Sequence, residues 1–216
     1  NLARETQTPI LFGSPYRKNI KNQKIYFNSA YLLSGTGETL SRYDKIHLVP
    51  FGEFVPFRTV LFFIEKLVIM IGDFGRGTEA TVMENAGNKV GISICYELIF
   101  PDLIRQSVKN GANFLVNITN DAWFGKSAAS YQHMSMGSLR AVENRMPIVR
   151  AANTGISGAI EATGKLKDKT ELFVEDSFIT KISPATSGKT FYSLNGDVFC
   201  WLCLLLTGLL GFTSRK

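Results

Sequence analysis

Strand-like and helix-like segments alternate through the centre of this chain, and this alternation restricts the fold more than any other feature of the sequence. From residue 79 the order is a strand (ATVMEN), a glycine turn, a strand (KVGISIC), a helix (PDLIRQSVKN) and a strand (NFLVNIT). A helix from about Tyr131 to Arg145 and a strand (PIVRAAN) follow. Alternating strands and helices predict an α/β domain.

Further strands are predicted on both sides of this region. Two apolar segments, 9–14 and 25–34, read as strands joined by a basic loop, YRKNIKNQK at 16–24, which has the composition of a solvated turn. A hairpin-like pair, SGAIEA at 157–162 and LFVEDS at 172–177, lies near the other end. The many strands and glycine turns favour two packed sheets with helices outside.

The composition is that of a globular protein with one core and a short appendage. The chain has 216 residues, of which 45% are apolar, and its formal net charge is +6. The basic stretch lacks the interleaved aromatic residues of a nucleic-acid-binding module, so no nucleic-acid partner is predicted. Three cysteines, Cys95, Cys200 and Cys203, offer no disulfide framework.

Two strongly apolar segments suggest that the protein contacts lipid. VFCWLCLLLTGLLGF at 198–212 has no charged residue, and TSRK follows it. We interpret 197–216 as a transmembrane helix with a short basic tail; the alternative is a buried core helix. The segment 58–72, RTVLFFIEKLVIMIG, is either a buried helix or part of an arm over 57–72 that touches lipid.

Cys95 is either a small core residue or a nucleophile. It ends an apolar strand, and a helix with Pro101 near its first turn begins shortly after it, so backbone N–H groups there would stabilise a thiolate. Burying the carboxylate of Glu97 two residues later is costly without a purpose. His47 and His133 are interpreted as surface or packing residues rather than as a base for the thiol.

A second polar group lies in the Pro- and Gly-rich stretch YDKIHLVPFGEFVP at 43–56. Lys45 and Glu53 are ionisable residues among aromatic residues and prolines. A lysine beside a developing oxyanion stabilises it, and a nearby carboxylate either acts as a base or holds the lysine in place. The alternative is a surface loop with two ordinary charged residues.

Four ordered stretches together resemble one known family. They are RYDKIHLVPFGEFVPF (42–57), GISICYELIFPD (91–102), NITNDAWFG (117–125) and QHMSMGSLRAVENRMPIVRAANTGISGAI (132–160). In this order they resemble the nitrilase (carbon-nitrogen hydrolase) superfamily, and within it the branch that acylates bacterial lipoproteins. The resemblance implies an α-β-β-α sandwich over 1–196, followed by the transmembrane helix and tail.

The resemblance also implies a Glu-Lys-Cys triad. Cys95 matches the nucleophile, Lys45 the cationic member and Glu53 a further glutamate of the family. Supporting residues by the same match are Tyr96, Glu97 and Trp123. The general-base glutamate of the triad would lie upstream of residue 1, so we expect an N-terminally truncated catalytic domain that is inactive alone.

The implied reaction is a two-step acyl transfer without a metal or an organic cofactor. A phospholipid would donate a fatty acyl chain to Cys95 as a thioester, and the N-terminal amine of a diacylglyceryl apolipoprotein would accept it. The implied protein is a monomer of the bacterial cytoplasmic (inner) membrane whose catalytic domain faces the periplasm. Two alternatives are a soluble nitrilase-family amidase that hydrolyses a carbon–nitrogen bond and a membrane-anchored binding module in which Cys95 is a core residue.

Overall fold

The structure is a computed structural model that describes residues 1–20, 23–54, 74–186 and 188–213. The strands in these ranges are β1 (Ile10–Ile20), β2 (Gln23–Leu33), β3 (Thr39–Asp44), β4 (Val82–Asn85), β5 (Asn88–Ile94), β6 (Phe114–Asn120), β7 (Ile148–Asn153), β8 (Gly158–Ile160) and β9 (Leu166–Lys169). The α-helices are α1 (Leu2–Thr6), α2 (Pro101–Lys109), α3 (Ala128–Asn144), α4 (Phe191–Asn195) and α5 (Val198–Thr213). Two 3₁₀ helices span Cys95–Ile99 and Asp121–Phe124.

The described strands form two sheets. One has the antiparallel order β1-β2-β3, and the other has the order β4-β5-β6-β7-β8-β9. In the second sheet β5, β6 and β7 are parallel, whereas the strands on either side of them are antiparallel. The parallel centre follows from the strand–helix alternation, since α2 and α3 return the chain to the same edge of the sheet.

Two apolar clusters define the layers. One cluster lies between the sheets and joins residues of β2 and β3, such as Ala30 and Tyr43, to residues of β4 and β5, such as Met83 and Ile92. The other lies between the six-stranded sheet and helices α2 and α3, with Ile104 and Ala141 among its members. The predicted packing of sheet on sheet is therefore confirmed in the described residues, with helices α2 and α3 on the outer face of the six-stranded sheet.

The strands predicted at 9–14 and 25–34 are confirmed, but two other predictions near the ends of the domain, the loop between them and the strand LFVEDS, were wrong. The basic stretch 16–24 is mostly strand: β1 and β2 run as one long hairpin in which Tyr16 is paired with Phe27 and Lys18 with Ile25. The extended hairpin keeps these charged side chains in water while the backbone stays paired. At the other end β8 pairs with Leu166–Lys169 rather than with LFVEDS, which has no strand, because the turn at Gly164 (φ +82°) reverses the chain earlier.

The apolar C-terminal segment is helical but not buried. Every side chain from Val198 to Phe212 in α5 is exposed, so the alternative of a core helix is wrong. No helix in the described ranges is long and apolar enough to cross a membrane, and the predicted transmembrane helix is not supported. With 16 residues, α5 is about 24 Å long, shorter than a hydrocarbon core of about 30 Å. The predicted arm at 57–72 lies outside the described residues.

Gly91 tests the contact between the six-stranded sheet and its helices. A β-carbon at this position would lie 2.7 Å from Cδ2 of Leu115 and 2.9 Å from Cβ of Ser107. We expect Gly91→Ala to lower the free energy of unfolding by about 1–3 kcal/mol, because the packed atoms must move apart. The control is Gly188→Ala, where a β-carbon meets nothing within 4 Å. Equal stability of the two variants in urea titrations would contradict this packing.

Candidate active site

The site is built where three parallel strands end at one edge of the sheet. Strands β5, β6 and β7 run in the same direction, so the residues that follow them, including Cys95 and Asp121, emerge at the same edge. Sites in α/β sheets form outside the carboxyl ends of the strands. Topology alone therefore brings together segments that lie far apart in the sequence.

Cys95 occupies a strained turn at this edge. Its φ angle is +55°, in the left-handed region that non-glycine residues avoid at a cost of about 1–3 kcal/mol. The turn leaves the residue partly exposed rather than buried in the core. The helix that directly follows is the short 3₁₀ helix Cys95–Ile99, and the predicted longer helix starts only at Pro101. The expected effect of an α-helix dipole at the thiol is accordingly weaker than the sequence suggested.

Glu97 stabilises this turn through buried hydrogen bonds. The residue is fully buried, and its Oε1 accepts hydrogen bonds from the Tyr43 hydroxyl (2.9 Å) and from the backbone N–H groups of Ile46 (2.7 Å) and His47 (2.9 Å). Its Oε2 accepts the N–H of Ile94 at 2.8 Å. Burial raises the pKa of Glu97, and the backbone N–H donors oppose that rise. These contacts give Glu97 a positioning role between two loops.

Lys45 is buried directly after β3 and is paired with Glu53. Its Nζ lies 2.8 Å from Oε1 and 2.7 Å from Oε2 of Glu53, which is half-buried. The Glu53 carboxylate also accepts hydrogen bonds from Asn28 Nδ2 (2.9 Å) and the Val49 N–H (2.8 Å). A buried ammonium group requires such a partner, because removing one member of a buried pair costs about 3–5 kcal/mol.

The two predicted aromatic residues lie at the surface beside this site. Tyr96 is 37% exposed and meets the ring of Phe100 edge-on, and Phe100 stacks on His47 with ring centroids 3.6 Å apart. Trp123 is 81% exposed on the second 3₁₀ helix. Burial, together with the charges of Arg76 and Lys45, lowers the pKa of His47, so its ring favours the neutral form.

The structure joins the lysine and cysteine segments through Glu97. Its carboxylate bonds the backbone just after Lys45 and also the residue just before Cys95. In the described part of the chain, no hydrogen bond links the Cys95 thiol directly to Lys45 or Glu53. The predicted site residues therefore fall into two linked groups, Lys45 with Glu53 and Cys95 with Glu97, and Trp123 lies on the 3₁₀ helix that follows β6.

Sequence reasoning missed a buried polar cluster behind the cysteine. Arg150, in β7, donates from Nη2 to Oδ2 of Asp121 at 2.6 Å and from Nη1 to Oδ1 of Asn117 at 2.9 Å, and all three are buried. His133 of α3 contacts the same cluster and was interpreted as a surface or packing residue. The sequence feature that could have revealed the cluster is a polar residue within each of two apolar strands: Asn117 in NFLVNIT and Arg150 in PIVRAAN.

Charges in the cluster compensate one another. Burial alone would raise the pKa of Asp121, but the hydrogen bond with His133 and the charge of Arg150 outweigh burial and lower it. Burial lowers the pKa of Arg150, opposed by Asp121, and a guanidinium group stays charged nonetheless. A thiolate at Cys95 would likewise oppose the effect of burial on the pKa of Arg150.

Across residues 1–20, 23–54, 74–186 and 188–213, no group of three or more His, Cys, Asp or Glu side chains is arranged to hold a metal ion.

The chain is similar to known proteins both in sequence and in fold. The profile of the carbon-nitrogen hydrolase family matches residues 1–191. The chain is 48% identical over 203 residues, or 94% of its length, to the apolipoprotein N-acyltransferase of Geobacter metallireducens. It is 35% identical over 99% of its length to the enzyme of the same name from Haemophilus influenzae.

The matched relatives are longer proteins. The chain spans 39% of the Geobacter protein and 42% of the Haemophilus protein. Among solved structures, the carbon-nitrogen hydrolase of Helicobacter pylori G27 superimposes with a TM-score of 0.60 at 19% identity, covering 78% of this chain and 60% of that one. This last likeness concerns the fold alone.

Glu97 gives a first prediction for the site. In Glu97→Gln an amide NH₂ must face either the Ile94 N–H or the donors at Oε1, so one buried donor is left without an acceptor. We expect a loss of about 1–3 kcal/mol in the free energy of unfolding, measured in urea. Glu38→Gln, at an exposed turn, serves as the control. An unchanged midpoint in Glu97→Gln would show that the carboxylate is not needed as an acceptor.

Asp121 gives a prediction about pH. Its pKa is lowered in the folded protein, so its stabilising contribution is present above the unfolded-state value of about 3.9 and is lost as pH falls through the lower folded value. The difference in free energy of unfolding between the wild type and Asp121→Asn should therefore shrink as pH falls from 5 to about 2. Urea titrations across this range measure it, and a difference independent of pH would refute the assigned shift.

Proposed function

This chain belongs to the carbon-nitrogen hydrolase family, and from that membership we propose that it is the catalytic part of an N-acyltransferase. The proposed reaction moves a fatty acyl chain from a phospholipid to the N-terminal amine of a diacylglyceryl-cysteine lipoprotein. One observation carries the proposal: the 48% identity over 94% of the chain to a protein named apolipoprotein N-acyltransferase. That relative is longer than this chain, so the activity of the whole protein is part of the proposal.

In the first half-reaction the thiolate of Cys95 attacks the carbonyl carbon of an acyl ester. A carbon–sulfur bond forms, the ester carbon–oxygen bond breaks, and the lysophospholipid leaves after its alkoxide takes a proton from the general-base glutamate that the family resemblance implies. The strained turn that presents Cys95 at the carboxyl edge of the sheet supports this role. Strained residues of this kind are frequent at active sites.

In the second half-reaction the amine attacks the thioester carbon. The new carbon–nitrogen bond forms, the carbon–sulfur bond breaks, and the amine loses a proton. We assign that proton transfer to a glutamate that the family resemblance places outside residues 1–216. One nucleophile thus serves two substrates in turn.

Lys45 is proposed to stabilise the oxyanion of both tetrahedral intermediates. Its burial supports this role, because a fixed charge in a site that excludes water stabilises a developing anion strongly. The two contacts from Nζ to Glu53 support a positioning role for Glu53. Tyr96 and Trp123, both exposed beside the site, are proposed to contact the lipid substrates.

We also propose that the protein acts at the bacterial inner membrane with this domain facing the periplasm. The exposed apolar side chains of α5 support a contact with lipid. A soluble amidase would share the nucleophile and use water as the second acceptor. The names of the similar curated proteins favour acyl transfer over that alternative.

The test is intact-mass analysis of the longest native polypeptide that contains this chain. After mixing with phospholipid, we expect a mass increase of one acyl chain on Cys95 that disappears when a diacylglyceryl lipopeptide is added. Cys95→Ala should abolish the adduct and lower acyl transfer at least about a thousand-fold, because the nucleophile is gone. Cys203→Ala removes a thiol outside the site and should retain both.

The two enzyme hypotheses give different products. Acyl transfer gives an N-acylated lipopeptide, whereas an amidase hydrolyses an added amide to the free acid and the amine whether or not the lipopeptide is present. Retained acyl transfer in Cys95→Ala would end the catalytic assignment.

A further inference from the structure

The carbonyl oxygen of Cys95 is held by two side chains from other elements. Asn117 Nδ2, on β6, lies 3.2 Å from it, and His133 Nε2, on α3, lies 3.2 Å from it. A carbonyl oxygen only accepts hydrogen bonds, so both nitrogen atoms donate. His133 Nε2 therefore carries a hydrogen.

Arg150 orients both donors. It has only N–H donors, so the Asn117 oxygen faces its Nη1 at 2.9 Å and the Asn117 NH₂ is turned toward Cys95. Its Nη2 lies 3.1 Å from His133 Nδ1, and Oδ1 of Asp121 lies 3.3 Å from the same nitrogen, so Arg150 and Asp121 together hold the ring with Nε2 facing Cys95. Arg150 also donates to Asp121 Oδ2 and to the carbonyl of Ile156.

These contacts reach the backbone of Cys95 rather than its sulfur. The carbonyl position and the φ angle of +55° together set the direction in which the Cα–Cβ bond points, and the sulfur is carried on that bond. The same Asn117 NH₂ also contacts the carbonyl and hydroxyl of Ser93, so the strand before the turn is held by the same group. A nucleophile displaced by about 1 Å loses about a hundred-fold in rate.

We propose that His133 is a positioning residue for the nucleophile: it donates from Nε2 to the Cys95 carbonyl and, with Asn117 and under the direction of Arg150, holds Cys95 in its left-handed conformation. The proposal rests on the proposed role of Cys95 as the nucleophile. It gives His133 no part in proton transfer, because its Nε2 is bonded to a peptide oxygen and its Nδ1 contacts Arg150 and Asp121.

Two matched substitutions distinguish the contribution of His133 Nε2 from that of Nδ1. In His133→Gln the side-chain NH₂ reaches the position of Nε2 and keeps the donor to Cys95. In His133→Asn the shorter amide reaches only the position of Nδ1, so the contact with Arg150 is kept and the donor is lost. Gln132→Asn, at the neighbouring exposed position of α3, is the control.

Three quantities are measured in the longest native polypeptide: kcat and KM for acyl transfer from phospholipid, the rate of alkylation of Cys95 by iodoacetamide, and the urea midpoint. We expect His133→Asn to lower kcat about ten- to a hundred-fold with KM unchanged within two-fold, and to change the alkylation rate. His133→Gln should recover kcat to within about three-fold of the wild type.

The proposal is overturned if the two variants lose kcat equally, if neither loses it, or if kcat falls only in proportion to the folded fraction given by the urea midpoint. Failure of the proposed function is a separate result, namely acyl transfer that persists in Cys95→Ala. In that case the alkylation rates of the two histidine variants still decide whether His133 holds the cysteine.

Discussion

The buried carboxylate of Glu97 is the contact on which the geometry of the site depends. It accepts hydrogen bonds from Ile94 at the end of β5 and from Ile46 and His47, which follow β3 in the other sheet. The apolar side chains between the two sheets set how far apart the sheets lie, but they constrain the relative orientation of the sheets only weakly. Directed bonds to a single carboxylate fix the lysine loop relative to the cysteine turn.

A second buried group acts from the opposite side of the sheet. Arg150 is completely enclosed and uses its guanidinium nitrogens on Asp121, Asn117, His133 and the carbonyl of Ile156. Such a group is expensive to bury without full pairing, and here every bond also orients a neighbour. The cysteine turn is thus supported from both sides by buried charges that do not touch its sulfur.

Much of the architecture could be predicted from local patterns, and the parts that failed have local causes. The alternation around KVGISIC and NFLVNIT specified the sheet that carries the site, and the setting of Cys95, Lys45 and Glu97 marked them as candidates. The strands of the β1–β2 hairpin extend into 16–24, which the sequence predicts to be a loop because its residues are basic and largely exposed. The role of His133 depends on tertiary contacts, which the spacing of residues along the chain does not reveal. The orientation of its ring is held by Arg150, seventeen residues away.

The register of the parallel strands has a consequence for folding. Ser93, Asn117 and Arg150 lie opposite one another across β5, β6 and β7, so a polar row crosses an otherwise apolar sheet. Slipping β6 by one residue would turn Asn117 to the opposite face and leave Nη1 of Arg150 without its acceptor. Misaligned pairings of these strands therefore cost free energy, and the polar row helps to specify the register of the sheet.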